Sequence, residues 1–64
     1  MKIKQAIKII GGQSETARRL GVAQSNVHRW HSGKAKIPAE YALEVEHLTS
    51  KKITRVDLRP DLRW

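Results

Sequence analysis

The chain has 64 residues, no cysteine and a net charge of +7, set by 13 Lys and Arg against six Asp and Glu. One domain this small buries only about 60% of its unfolded surface, and without cysteine a disulfide framework and the usual zinc ligands are excluded, which leaves helix packing and self-association to stabilise it. No apolar run approaches the ~18 residues of a membrane span, and no unbroken apolar segment marks a secretory leader, so the expected setting is cytoplasmic, with no membrane partner.

In chain order, Ile3, Ala6, Ile7 and Ile10 recur at i, i+3, i+4 and i+7, which predicts a first helix over Lys2 to Ile10 with Lys2, Lys4 and Lys8 off its apolar stripe. Gly11 and Gly12 end it, because glycine accepts the left-handed conformation that follows a helix. A second helix begins at Gly12 or Ser14 and runs to Leu20. A start after Gly12 puts Glu15 third in the helix, where its carboxylate meets free amides and the helix dipole. Thr16, Ala17 and Leu20 face inward, Arg18 and Arg19 outward, and Gly21 breaks the helix. A third helix over Gln24 to Ser32 carries Val27 and Trp30 and stops at Gly33. Beyond a basic loop, Lys34 to Lys36, the Ile37-Pro38 pair opens a fourth helix with proline in its first position, Glu40 in its first turn and Tyr41, Val45 and Leu48 as its stripe. Thr49 to Ile53 connects it to Thr54-Arg55-Val56-Asp57, the form of a capping box, which predicts a single-turn helix to Arg59 closed by Pro60. The expected fold class is all-α, a compact four- to five-helix domain over residues 1–59 with a short tail, 60–64.

The second and third helices, Gln13 to Ser32, have the parts of a helix-turn-helix. Two short helices crossing at about 90 to 120° need a small residue where they touch and a sharp turn between them. Ala17 and Gly21 stand in those places, and Thr16, Leu20, Val22, Val27 and Trp30 fill the remaining inward positions. At about 100° per residue, Val27 and Trp30 define the inward face of the third helix; Ser25, His28, Arg29 and Ser32 fall opposite, with Gln24 at the exposed N-terminal corner. A B-DNA major groove accepts one such helix, and its N-terminal residues reach the base edges. Gln24, Ser25, His28 and Arg29 are therefore the expected base contacts. The Gln24 amide suits adenine and the Arg29 fork suits guanine, whereas Ser25 and His28 both donate and accept, so no base preference follows for them. Asn26 points sideways and joins Arg18, Arg19, Lys34 and Lys36 as an expected phosphate contact. The charge agrees: residues 1–36 hold eight basic residues and one acid, Glu15, while residues 37–64 hold five of each sign. A polyanion partner is implied.

The run QSETARRLGVAQSNVHRWHSGKAKIP resembles the small phage Cro and repressor proteins, and the continuation EYALEVEHLTSKKITRVDLRPDL resembles the Cro-like YdaS family of prophage regulators. The resemblance spans nearly the whole chain. It implies a lambda-repressor-like fold and a dimeric transcriptional regulator that binds double-stranded operator DNA. It also implies that Gln13, which matches a glutamine at the start of the second helix in phage repressors, binds a backbone phosphate. Ala23 departs from the pattern: the family commonly has a serine or threonine there, whose hydroxyl caps the third helix and reaches a phosphate.

Other chemistry finds little support. His28 and His31 lie one turn apart but share their face with no cysteine or carboxylate, so no metal is expected, and His47 reads as surface. Gly33-Lys34 lacks the rest of a phosphate loop; the chain reads as a non-enzyme with no cofactor and no small-molecule ligand. Leu58, Leu62 and Trp64 either fold back on the first and fourth helices or pair across a two-fold axis with a second copy. The homodimer is preferred, because dimers span half-sites about 34 Å apart. Two other functions stay open. One is an antitoxin or protein-binding module using the acidic Glu40, Glu44 and Glu46; the other is sequence-indifferent binding of nucleic acid by charge alone.

Overall fold

Five helices follow one another in the computed structural model, which describes residues 2–64: α1 (Lys2–Ile10), α2 (Gln13–Leu20), α3 (Gln24–Ser32), α4 (Ala39–Leu48) and α5 (Arg55–Leu58). Among the described residues there is no strand, so the fold is all-α as expected. The two helix stops inside the motif have the geometry that glycine supplies. Gly21 sits at φ 69° and Gly33 at φ 82°, both left-handed, and after each the chain turns back to bond the helix it has just left, Val22 N to the Ala17 carbonyl and Lys34 N to the Arg29 carbonyl.

Helix α2 begins after Gly12, one of the starts the sequence allows, and Gly12 itself sits at φ 106°, ψ 174°, a conformation that side-chain-bearing residues avoid. Three details differ from the sequence reading. Glu15 is third in the helix, but its carboxylate bonds Arg18 and Arg19 instead of the open amides; two guanidiniums outcompete neutral donors for one anion. Pro38 stands before the first helical residue of α4, not in it, because its ψ of 150° is extended. The last helix is one residue shorter than expected. Its capping box is complete, with the Thr54 hydroxyl accepting from Asp57 N at 3.2 Å and the Asp57 carboxylate accepting from Thr54 N at 3.0 Å.

The core gathers one or two residues from each long helix: Ala6 and Ile7 of α1, Ala17 of α2, Val27 and Trp30 of α3, and Ala42 and Val45 of α4, joined by Ile37 and Ile53 from the connections. Tyr41 lies half-buried against it, its ring 5.7 Å from that of Trp30 and tilted by 35°. Ala42 was not in the expected stripe; Leu48 was, and is only half-buried. Two hydroxyls enter this core with partners. Thr16 donates to the Gly12 carbonyl at 2.7 Å, and Thr49 lies 3.1 Å from the Glu46 and Ile53 carbonyls while accepting from Ile53 N at 3.3 Å. The second arrangement closes the α4–α5 connection on itself, including the left-handed Ser50 and Lys51. Helices α2 and α3 share the most extensive interhelical contact, so the motif is packed as a unit.

Candidate nucleic-acid interface

Helix α3 has two unlike sides. Val27 and Trp30 are 0% and 6% exposed, whereas Gln24, Ser25, Asn26, His28, Arg29 and Ser32 are all exposed. Ser32 turns back to donate to the Arg29 carbonyl at 3.2 Å. No hydrogen bond to another described residue engages the side chains of Gln24, Ser25, Asn26, His28 or Arg29, so their donors and acceptors point to solvent. The N-cap, Ala23, has extended backbone and no side-chain cap, which leaves the Gln24 and Ser25 amides open as well, while the Asn26 amide donates to the Ala23 carbonyl at 3.0 Å.

Around this face the basic residues are less available than their number suggests. Gln13 opens α2 half-buried. One turn on, Arg18 donates through Nε to Glu15 Oε1 at 3.1 Å and pairs through Nη2 with Oε2, which also accepts from Arg19 Nε at 2.9 Å. The Arg18 guanidinium foremost, and then Arg19, hold the Glu15 carboxyl down at about 2, so it stays ionised near neutrality. In the loop after α3, Lys36 Nζ lies 3.4 Å from Asp61 Oδ2. Asp61 is in turn gripped by the Arg59 fork at 3.0 and 2.9 Å, while another Arg59 nitrogen donates to the Ile37 carbonyl at 2.8 Å. Arg59, foremost among its partners, holds the Asp61 carboxyl far below the usual carboxylate range. Lys34 is exposed and has no ion pair among the described residues.

The tail returns to the domain. Leu58 packs half-buried against the core, Leu62 is half-buried, and the Trp64 indole donates to the Arg59 carbonyl at 3.0 Å beneath the Arg55 guanidinium, 5.6 Å from the ring centre. Trp64 still leaves 41% of its surface exposed, beside other apolar residues exposed elsewhere: Ile9, Leu43 and Val56, which the sequence reading did not single out. The acidic face of α4 is smaller than expected. Glu46 is turned toward α5, accepting from Arg55 N at 2.9 Å, and only Glu40 and Glu44 remain exposed, where they line a cleft of about 390 Å³ with Arg19, Leu20 and Tyr41. Among the described residues no three His, Cys, Asp or Glu side chains converge as metal ligands, and no helix is long and apolar enough to cross a membrane.

The family described as bacterial toxin YdaS matches residues 3–64. The chain is similar to the YdaS protein of Escherichia coli (strain K12), whose name gives it provisionally as a transcriptional regulator, with 41% identity over 61 residues, 95% of this chain and 62% of that relative. It thus spans less than two thirds of that relative's length. With the regulatory protein cro of Pseudomonas phage D3 it shares 38% identity over 61 residues, 95% of this chain and 84% of the phage protein. No solved structure matches the chain.

Proposed function

The chain belongs to the YdaS family, and from that premise we propose that it is a transcriptional regulator, without enzymatic activity, which binds double-stranded operator DNA and reads base edges in the major groove with α3. One observation carries this reading: the unengaged side chains of Gln24, Ser25, His28 and Arg29 project from a helix that Val27 and Trp30 fix to the core. The names of the relatives agree with regulation. Gln13, Asn26 and Lys34 are the proposed phosphate contacts, and Arg18, Arg19 and Lys36 lie in the same half of the chain, each beside a carboxylate. Selecting bound sites from a pool of random duplexes at fixed salt tests the proposal. A short palindrome is expected, whereas a pool that never enriches would leave only charge-driven binding.

The palindrome follows from a homodimer, which we place at the tail. Leu62 and Trp64 keep apolar surface that one copy does not cover, and Leu58, half-buried against the core, is the third proposed contact. Deleting residues 60–64 should raise the dimer dissociation constant in sedimentation equilibrium; self-association that survives the deletion unchanged would move the interface elsewhere.

The description of the family as a toxin, together with exposed Glu40 and Glu44, favours a second reading in which the chain acts on a protein partner. Overexpression separates the two. If DNA binding is the route, any growth inhibition should disappear in the Gln24→Ala, Arg29→Ala double variant; inhibition that persists belongs to the protein-binding reading.

A further inference from the structure

Three of the four basic side chains expected at the DNA backbone already have carboxylate partners within the chain: Arg18 and Arg19 share Glu15, and Lys36 meets Asp61. Among the described residues, Lys34 alone of the four has none. The pairing is built rather than incidental. Glu15 uses both oxygens, and its partners stand three and four residues along the same helix, the spacing at which side chains meet. Asp61 is 25 residues from Lys36 in sequence and is brought to it by Arg59, whose side chain is only 16% exposed and is bonded to the Ile37 carbonyl next to Lys36. The pairing is also selective, since Glu40 and Glu44 are exposed and have no salt bridge among the described residues.

We propose that Glu15 and Asp61 act as internal substitutes for DNA phosphate, withholding Arg18, Arg19 and Lys36 from the backbone and so limiting the sequence-independent part of the chain's affinity for DNA. The proposal rests on the operator-binding reading and deepens it. Phosphate contacts supply essentially all non-specific binding and make it salt-dependent. A cation that must leave a carboxylate to reach a phosphate exchanges one ion pair for another and leaves a bare anion beside DNA. Little is gained by that exchange. Because Glu15 stays ionised near neutrality, the withholding operates throughout the physiological pH range.

The test is a salt series of binding titrations with the full chain, on the selected operator and on a random duplex of equal length. Glu15→Gln is expected to tighten both by a similar factor, about tenfold near 0.1 M salt, because phosphates are the same in every sequence. The plot of log K against log salt should steepen by about 0.9 for each phosphate newly contacted, up to about 1.8 for two arginines. Asp61→Asn should steepen it by at most about 0.9. Adding Arg18→Gln and Arg19→Gln to Glu15→Gln should return the slope to that of the parent. Glu44→Gln removes the same charge from a carboxylate that shares a cleft with Arg19 but forms no ion pair with it, and so serves as the control for charge without pairing. An unchanged slope in Glu15→Gln, an equal change in Glu44→Gln, or tightening confined to the operator would each overturn the proposal. A parent chain that binds operator and random duplex alike, or neither, instead overturns the operator-binding reading and takes the proposal with it, before any variant is compared.

Discussion

Replacing Trp30 with alanine is expected to lower stability by about 3–5 kcal/mol, the range for deleting a large buried aromatic and leaving a cavity. A domain of 64 residues holds only about 3–10 kcal/mol in all, so the substitution removes from about a third to the whole of its stability. The ring is the piece that ties the motif to the rest: α3 carries it, Tyr41 of α4 lies against it, and Ile3 of α1, Ile37 and Leu58 of α5 surround the same apolar hollow. At about 4–8 °C per kcal/mol for a domain of this size, the midpoint should fall by at least ~12 °C in thermal unfolding followed by circular dichroism. Trp30→Phe keeps most of the apolar volume and should recover much of that loss. Trp64→Ala serves as the comparison, because that indole is 41% exposed and its loss opens no cavity in the core. A sharp transition within a few degrees of the parent in Trp30→Ala would show that the indole does not hold α3 in place, and the assignment of its outward face would lose its basis.

The division of α3 into a buried and an exposed side was legible because two large apolar residues three apart fix a helix's rotation by themselves, and everything opposite follows. Gly21 and Gly33 were legible for a related reason: the left-handed turn that ends a helix leaves few alternatives to glycine. Ala42 escaped because the larger Tyr41 and Leu48 draw the apparent stripe of α4 to one side of its buried face, which runs through Ala42, Val45 and Thr49. The one-residue shift at Pro38 reflects how a helix start depends on a single ψ angle, which composition does not specify. At the interface the failure was of another kind. Glu15, Arg18 and Arg19 stand at the spacing of a helical ion pair, but a carboxylate in the first turn of a helix and arginines on an exposed face fit the dipole and a phosphate equally well, so spacing alone does not choose between them. Asp61 and Lys36 left no local trace, since their meeting depends on how the tail returns over the α3–α4 loop. The sequence pattern could not decide between a tail folded on its own domain and one paired with a second copy, because Leu58, Leu62 and Trp64 offer apolar surface to either.

Arg29→Ala and Gln24→Ala should each relax the selected site at one base position per half-site, with a loss of about 1–3 kcal/mol, about 5- to 150-fold, for the preferred base there. The side chains qualify because both are exposed and neither is held by a described neighbour; Arg29 stands on the face opposite Val27 and Trp30, and Gln24 at the N-terminal corner of the helix. An arginine fork fits the two acceptors of guanine, and a glutamine amide fits the acceptor and donor of adenine, so truncation leaves those base edges unpaired in a site from which water has been displaced. Binding to random duplex should change little in Gln24→Ala, which removes no charge. Lys34→Ala gives the opposite pattern, weakening every site alike and reducing the salt slope by about 1, because a phosphate contact carries no sequence information. Quantitative sequencing of the pools selected by each variant measures both effects at once. Pools that lose affinity uniformly in all three variants would mean that α3 contributes charge and shape but no base readout, and the groove-reading role would have to pass to another element or be given up.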